Sequence, residues 1–173
     1  MTQALLVIDV QTGTFDGLHC APMPGGPELI RACQRAIAWA RQQALPVIWI
    51  QHHEPGGAMD GMGFEIDARL QPLAHEKRVT KRQPSAFEGT ALGDNLVALG
   101  VTHPVLVGLQ SDCCVRATAQ AAQARGLNPI VVADAHHTWP NGEHSADAIR
   151  SRINQELAQA GIAVLPLADL PTA

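Results

Sequence analysis

The sequence has no tyrosine and only six aromatic residues, three tryptophans and three phenylalanines; of its twelve cationic residues only Lys77 and Lys81 are lysines. The formal charge is −4 at pH 7. No basic stripe interleaved with aromatics occurs, so the usual footprint of a nucleic-acid binder is missing. Also missing is any apolar run near the roughly 20 residues that a membrane span needs. The opening residues Met1-Thr2-Gln3-Ala4 pass straight into a strand-like run, with no basic segment and no small-residue cleavage site, so a cytoplasmic address is expected. The four cysteines, Cys20, Cys33, Cys113 and Cys114, make no disulfide framework: two are neighbours, and the spacings fit no zinc template. Free thiols in a reducing compartment are expected. No repeat, low-complexity tract or linker interrupts the 173 residues, a length that suits one domain with a sizeable core.

What is present alternates. Apolar runs at 4–10, 46–50, 104–109 and 129–133 are rich in Val, Ile and Leu and lack strict alternation, as expected of strands covered on both faces. A further run at 162–167 closes the chain, and the more polar stretch 78–82 is a weaker strand candidate, third in order. Helical periodicity marks 28–43, 90–99, 113–125 and 145–160; the third of these stops at Gly126, and the last opens on a Ser cap and stops at Gly161. Such alternation predicts a three-layer α/β/α Rossmann-like fold around a mainly parallel sheet of about six strands. The stretch 51–71 follows neither period and predicts a long loop over the carboxyl edge of the sheet.

Ligands of open parallel sheets bind outside the carboxyl ends of the strands. Asp9 falls at the end of the first strand, Lys81 at or near the end of the third, and Cys114 just after the fourth, where the next helix begins. An acid/base, a cation and a thiol then meet at one edge. A helix N-terminus favours thiolate and offers free N–H groups to an oxyanion. A thiol attacking a carbonyl needs a base or a cation beside it; Asp9 supplies the first and Lys81 the second. The Cys114 N–H, with that of Gln110, is placed to receive the tetrahedral oxygen. Each residue taken singly has a plainer role: Asp9 as a turn cap, Lys81 as a solvated charge, the cysteine as packing.

Ile8-Asp9-Val10-Gln11, then Lys81-Arg82-Gln83-Pro84-Ser85-Ala86-Phe87-Glu88-Gly89-Thr90, then Gly108-Leu109-Gln110-Ser111-Asp112-Cys113-Cys114-Val115-Arg116-Ala117-Thr118-Ala119 together resemble the isochorismatase-like cysteine hydrolases. That superfamily includes nicotinamidases, N-carbamoylsarcosine amidohydrolase and streptothricin hydrolase. The similarity runs through nearly the whole chain. It implies a triad of Asp9, Lys81 and Cys114, with Cys114 rather than Cys113 as nucleophile because it directly precedes the Val. It also implies a cis peptide between Leu109 and Gln110 that aims the Gln110 N–H into an oxyanion hole, a role for Gln11 in orienting backbone near Asp9, and assembly as a homodimer or homotetramer.

One block departs from the nicotinamidase pattern. Where those enzymes carry an Asp-x-His metal pair, this chain has Gln51-His52-His53-Glu54. His52, His53 and Glu54, with His75, are the residues that would hold a metal, but the broken pair predicts none, and no cofactor is expected. Phe15, Leu18, Trp49 and Phe87, together with His52, are the candidates for the substrate-binding wall, with Trp49 reading equally as core, and His136, His137 and Trp139 follow the fourth of the apolar runs toward the same edge. The expectation is a hydrolase that cleaves a carbon–nitrogen amide-type bond of a small molecule through a thioester on Cys114. The alternatives are vinyl-ether hydrolysis, in which the cysteine is dispensable, and a non-catalytic ligand-binding or thiol-sensing protein using Cys113 and Cys114.

Overall fold

The computed structural model describes residues 2–171; Met1, Thr172 and Ala173, the ends included in the single-domain reading, lie outside them. Six strands form one wholly parallel sheet: β1 (Gln3–Ile8), β2 (Val47–His52), β3 (Lys77–Lys81), β4 (His103–Leu109), β5 (Ile130–His137) and β6 (Ala163–Leu165). Their spatial order is β3-β2-β1-β4-β5-β6, so the direction of winding reverses between β1 and β4. Four helices cover the faces: α1 (Gly26–Gln42), α2 (Leu92–Ala98), α3 (Arg116–Ala124) and α4 (Ala146–Gln159). This is the expected three-layer α/β/α architecture.

Side chains of successive strand residues point to opposite faces. In β1, Leu5 and Val7 join the core under α1, while Ala4, Leu6 and Ile8 join the core under α2, α3 and α4. Both faces of the central strands are buried, which is why these segments read as continuous apolar runs rather than alternating ones. Each fully buried Leu or Ile contributes about 1.5–3 kcal/mol of transfer free energy. The face of α1 that meets the sheet is Leu29, Ile30, Cys33, Ile37 and Ala40; that of α4 is Ile149, Ile153 and Leu157.

Two glycine contacts set the shape near the carboxyl edge. Gly108, at φ 116°, lies so close to β1 that any Cβ would collide with the Ile8 carbonyl. Gly13 and Gly63 both back onto the Ala58 carbonyl, where neither has room for a side chain. This contact pins the expected long loop to the turn at Thr12–Thr14. The loop is also shorter than predicted, because Gln51 and His52 belong to β2, and the remainder holds two 3-10 turns, Gly61–Phe64 and Ala68–Leu70.

β5 is longer than its apolar run. It pairs with β4 as Leu106 with Val131, and then as Gly108 with His136, so a wide bulge intervenes and the strand resumes on polar residues. Trp49, a candidate for the pocket wall and equally for the core, is core and not wall. It faces the α1 side at 1 % exposure, and its Nε1 donates to Glu76 Oε2 at 2.8 Å. The strand period decides this: residues 47 and 49 turn to α1, and residues 48 and 50 to the opposite face.

Candidate active site

The reversal of winding between β1 and β4 opens a crevice beyond their carboxyl ends, the usual ligand position in open α/β sheets. Asp9 comes directly after β1. Its backbone is in the left-handed region at φ 53°, which costs a non-glycine residue about 1–2 kcal/mol. The consequence is visible in its neighbours: Ile8 and Val10, two apart, pack on opposite faces of the sheet. Strand alternation is therefore broken at Asp9. Lys81 is the last residue of β3. Cys114 lies in a π-helical turn, Ser111–Val115, that precedes α3, so the helix start expected at Cys113 is a wider turn first. The Leu109–Gln110 peptide is cis, as the family resemblance implied.

These three side chains meet. Lys81 Nζ is 2.8 Å from Asp9 Oδ2, 3.2 Å from Cys114 Sγ and 3.1 Å from His52 Nδ1. An ammonium has three N–H groups, and here three acceptors surround it. At 1 % exposure, Lys81 is held in place by them rather than by water. His52 was expected as a substrate contact; it lines the cleft, and its Nδ1 is also the third partner of the ammonium. Gln11 fixes the strand end that carries it. Its Oε1 accepts from the His52 N–H at 2.7 Å, and its Nε2 donates to the carbonyls of His52 and Phe64 at 3.0 and 2.8 Å.

Burial raises the Asp9 carboxyl above the ordinary carboxylate range, against the opposing pull of Lys81. Burial would lower Lys81, but Asp9 and Cys114 beside it carry its pKa above the usual value. Burial also pushes the Cys114 thiol up, and the Asp9 charge adds to this while Lys81 opposes it. The pull toward thiolate expected of a helix N-terminus is thus opposed at Cys114, which is 9 % exposed, by burial and by the Asp9 charge. Asp9 Oδ1 is buried with no hydrogen-bond partner, while the ammonium that holds Asp9 Oδ2 also donates to Cys114 Sγ. One buried ammonium therefore joins the sulfur to a carboxylate that keeps a free lone pair. Burial, then Lys81, lowers the pKa of His52, leaving a neutral ring whose Nδ1 accepts from the ammonium.

The triad opens into a cleft of about 510 Å³ whose lining includes Asp9, His52, Glu54, Gln110, Cys114 and Trp139. Phe15, Leu18 and Phe87, expected on its wall, lie outside that lining. Phe15 is half-buried against the α1 core with the Arg69 guanidinium 4.9 Å over its ring. Leu18 is 77 % exposed in the loop after Thr12–Thr14. Phe87 is buried in the opposite core under Arg125. Its motif is a brace: the Ala86 N–H donates to Thr118 Oγ1 of α3 at 3.0 Å, and Thr90 Oγ1 donates to the Ala86 carbonyl at 2.5 Å. The first bond ties the segment following Lys81 to the helix following Cys114, and the second closes a turn within that segment.

Sequence reasoning missed a second support. His136 is fully buried, with Nε2 donating to Asn154 Oδ1 and Nδ1 accepting from Ser111 Oγ, each at 2.8 Å. Thr138 Oγ1 donates to Asp112 Oδ1 at 2.7 Å. The resumed part of β5 and the residue just after it thus anchor the first two residues of the turn that carries Cys114. Seeing polar residues where the apolar run of β5 ends was the available signal, but only the bulge reveals them as strand. His137 borders a separate cavity of about 600 Å³ between α1 and α4. Among the described residues no group of three or more His, Cys, Asp or Glu side chains is gathered as a metal site, and no helix is long and apolar enough to cross a membrane.

Comparison with known proteins identifies the family and the fold. A streptothricin hydrolase of Streptomyces noursei is 31 % identical over 162 residues, 91 % of this chain and 64 % of its own length. An N-carbamoylsarcosine amidase of Arthrobacter is 26 % identical over 149 residues, covering 74 % of this chain and 56 % of its own length. This chain therefore spans less than two thirds of either relative. The crystal structure of an isochorismatase from Pseudomonas putida superposes with a TM-score of 0.89 at 27 % identity, covering 98 % of this chain and 90 % of that one. The isochorismatase domain model matches residues 3–165, and the chain belongs to the isochorismatase family.

Proposed function

We propose that this chain is a cysteine hydrolase that cleaves a carbon–nitrogen amide-type bond in a small molecule. The observation that carries the reading is the single ammonium shared by Asp9 Oδ2 and Cys114 Sγ, beside a carboxylate oxygen that has no other partner. As Cys114 Sγ attacks the carbonyl carbon, Asp9 takes the thiol proton. Lys81 stays protonated throughout and stabilises the sulfur as its charge develops. The N–H groups of Gln110 and Cys114 receive the tetrahedral oxygen. Asp9 then returns the proton to the nitrogen, the C–N bond breaks, and the amine leaves a thioester on Cys114. Water activated by Asp9 attacks the thioester, giving the acid and the free thiol. The names of the relatives, a hydrolase in one case and an amidase in the other, support the same chemistry. Vinyl-ether hydrolysis would leave a thiol idle at 3.2 Å from a buried ammonium, which is the reason to prefer the amide reading.

The test is turnover of a panel of small primary and secondary amides, followed by acid quench and mass spectrometry of the Cys114 peptide. An acyl adduct on Cys114 and loss of turnover in Cys114→Ala are expected. Amide turnover that survives Cys114→Ala would sink the thioester, and hydrolysis of a vinyl ether that needs Asp9 but not Cys114 would favour the vinyl-ether alternative. Assembly as a homodimer or homotetramer belongs to the same proposal, with light scattering in solution as its measurement.

A further inference from the structure

The charges of the cleft are unevenly matched. Its lining contains two carboxylates, Asp9 and Glu54, and no arginine or lysine. Lys81 neutralises Asp9 at 2.8 Å, and His52 is a neutral ring. Glu54 forms no ion pair among the described residues. Its main chain closes a turn, with the Glu54 N–H donating to the Met59 carbonyl and the Glu54 carbonyl accepting from Gly57. The side chain folds back over Gly57, occupying the space a Cβ would need there. Its charge is felt at two other lining residues: burial first, then Asp16 and Glu54, raise the Cys20 thiol, and Glu54 is one of the two carboxylates favouring protonation of His52. Trp139 shares the lining, and its Nε1 is committed to the Ala21 carbonyl at 2.8 Å. What this indole offers a ligand is ring surface.

We propose that Glu54 and Trp139 form a cation subsite, so that the substrate carries an ammonium or guanidinium group on the part remote from the scissile amide. A carboxylate without a counterion attracts a cation, and an indole face adds cation–π attraction. An anionic substrate would meet the same carboxylate with no lining arginine or lysine to receive it. The proposal rests on the amidohydrolase reading for the words "scissile amide", whereas the cation preference of the cleft can be read without any catalysis.

Two measurements separate the two ideas. The first is the rate of Cys114 labelling by a trimethylammonium and by a sulfonate methanethiosulfonate, followed by peptide mass spectrometry to distinguish Cys20 and Cys113. In the native protein the cationic-to-anionic rate ratio should exceed that in Glu54→Gln by about three- to fivefold at low salt, the range of a partly solvated ion pair, and the difference should shrink at high salt. The second is kcat/KM for 6-aminohexanamide against hexanamide, where Glu54→Gln should raise KM for the first alone and leave kcat within twofold. Equal labelling ratios in the two proteins overturn the cation subsite. A labelling preference with neither amide hydrolysed supports the subsite and counts against the amidohydrolase reading. Hydrolysis of both amides with no dependence on Glu54 supports that reading and overturns the subsite.

Discussion

Ser111 Oγ donates to His136 Nδ1 at 2.8 Å, joining the turn that carries Cys114 to the strand beyond the β5 bulge. The bond requires a neutral imidazole, since a protonated ring has no acceptor. Burial lowers the His136 pKa to about 4 against an ordinary 6.5. Its stabilising contribution is therefore fully present above pH 6.5 and is lost as pH falls toward 4, where the unfolded chain takes up the proton first. The loss amounts to about 3 kcal/mol. Denaturant midpoints measured between pH 7 and 4 should fall in the native protein and show a flatter dependence in His136→Gln. Equal slopes in the two proteins would show that another group governs acid unfolding.

The carboxylate of Asp9 must be ionised to take the thiol proton, and its pKa is raised by burial. The kcat/KM profile should therefore rise with pH through a value above the ordinary carboxylate range and be lost on the acid side. Asp9→Asn should lower kcat/KM by about 10²–10⁴-fold, the usual worth of a positioned acid–base group. Retention of the acid limb in a residually active Asp9→Asn variant would assign that limb elsewhere.

His52→Ala should affect rate more than folding. It removes one of three acceptors from a buried ammonium, and Lys81 keeps Asp9 and Cys114. A fall in kcat of about tenfold, equivalent to one hydrogen bond of about 1.4 kcal/mol, is expected with the thermal midpoint nearly unchanged. A rise in KM with kcat intact would return His52 to a purely substrate-binding role.

Trp49→Phe and Trp139→Phe separate core from cleft. The first removes the indole N–H that serves Glu76 Oε2, and should cost about 1–3 kcal/mol of stability without changing KM. The second alters a cleft-lining ring, and should raise KM with a smaller loss of stability. Reversal of these two effects would put Trp49 back on the pocket wall.

Gly108→Ala should be the most disruptive of the small substitutions. The added methyl would meet the Ile8 carbonyl at a φ of 116°, and overpacking plus backbone strain should together cost about 2 kcal/mol or more. Chemical denaturation reads this directly, and an unchanged midpoint would mean that β1 and β4 can separate at the site without penalty.

The one-dimensional pattern was sufficient for the layers and for bringing Asp9, Lys81 and Cys114 to one edge of the sheet. Central strands buried on both faces must be continuously apolar, so β1, β2 and β4 announce themselves, and a parallel sheet places Asp9, Lys81 and Cys114 at one edge whatever its details. Other features depend on distant parts of the chain. Which residues of β2 face α1 decides that Trp49 is core, and that follows from register rather than hydrophobicity. The polar end of β5 looks like a loop because the bulge and the Ser111 and Asn154 partners of His136 are remote in sequence. Burial, a three-dimensional quantity, raises the Cys114 thiol against the helix-start effect that local sequence suggests. Periodicity is a local property and the sequence carries it; register, burial and charge pairing are properties of the assembled fold, and only the tertiary structure decides them.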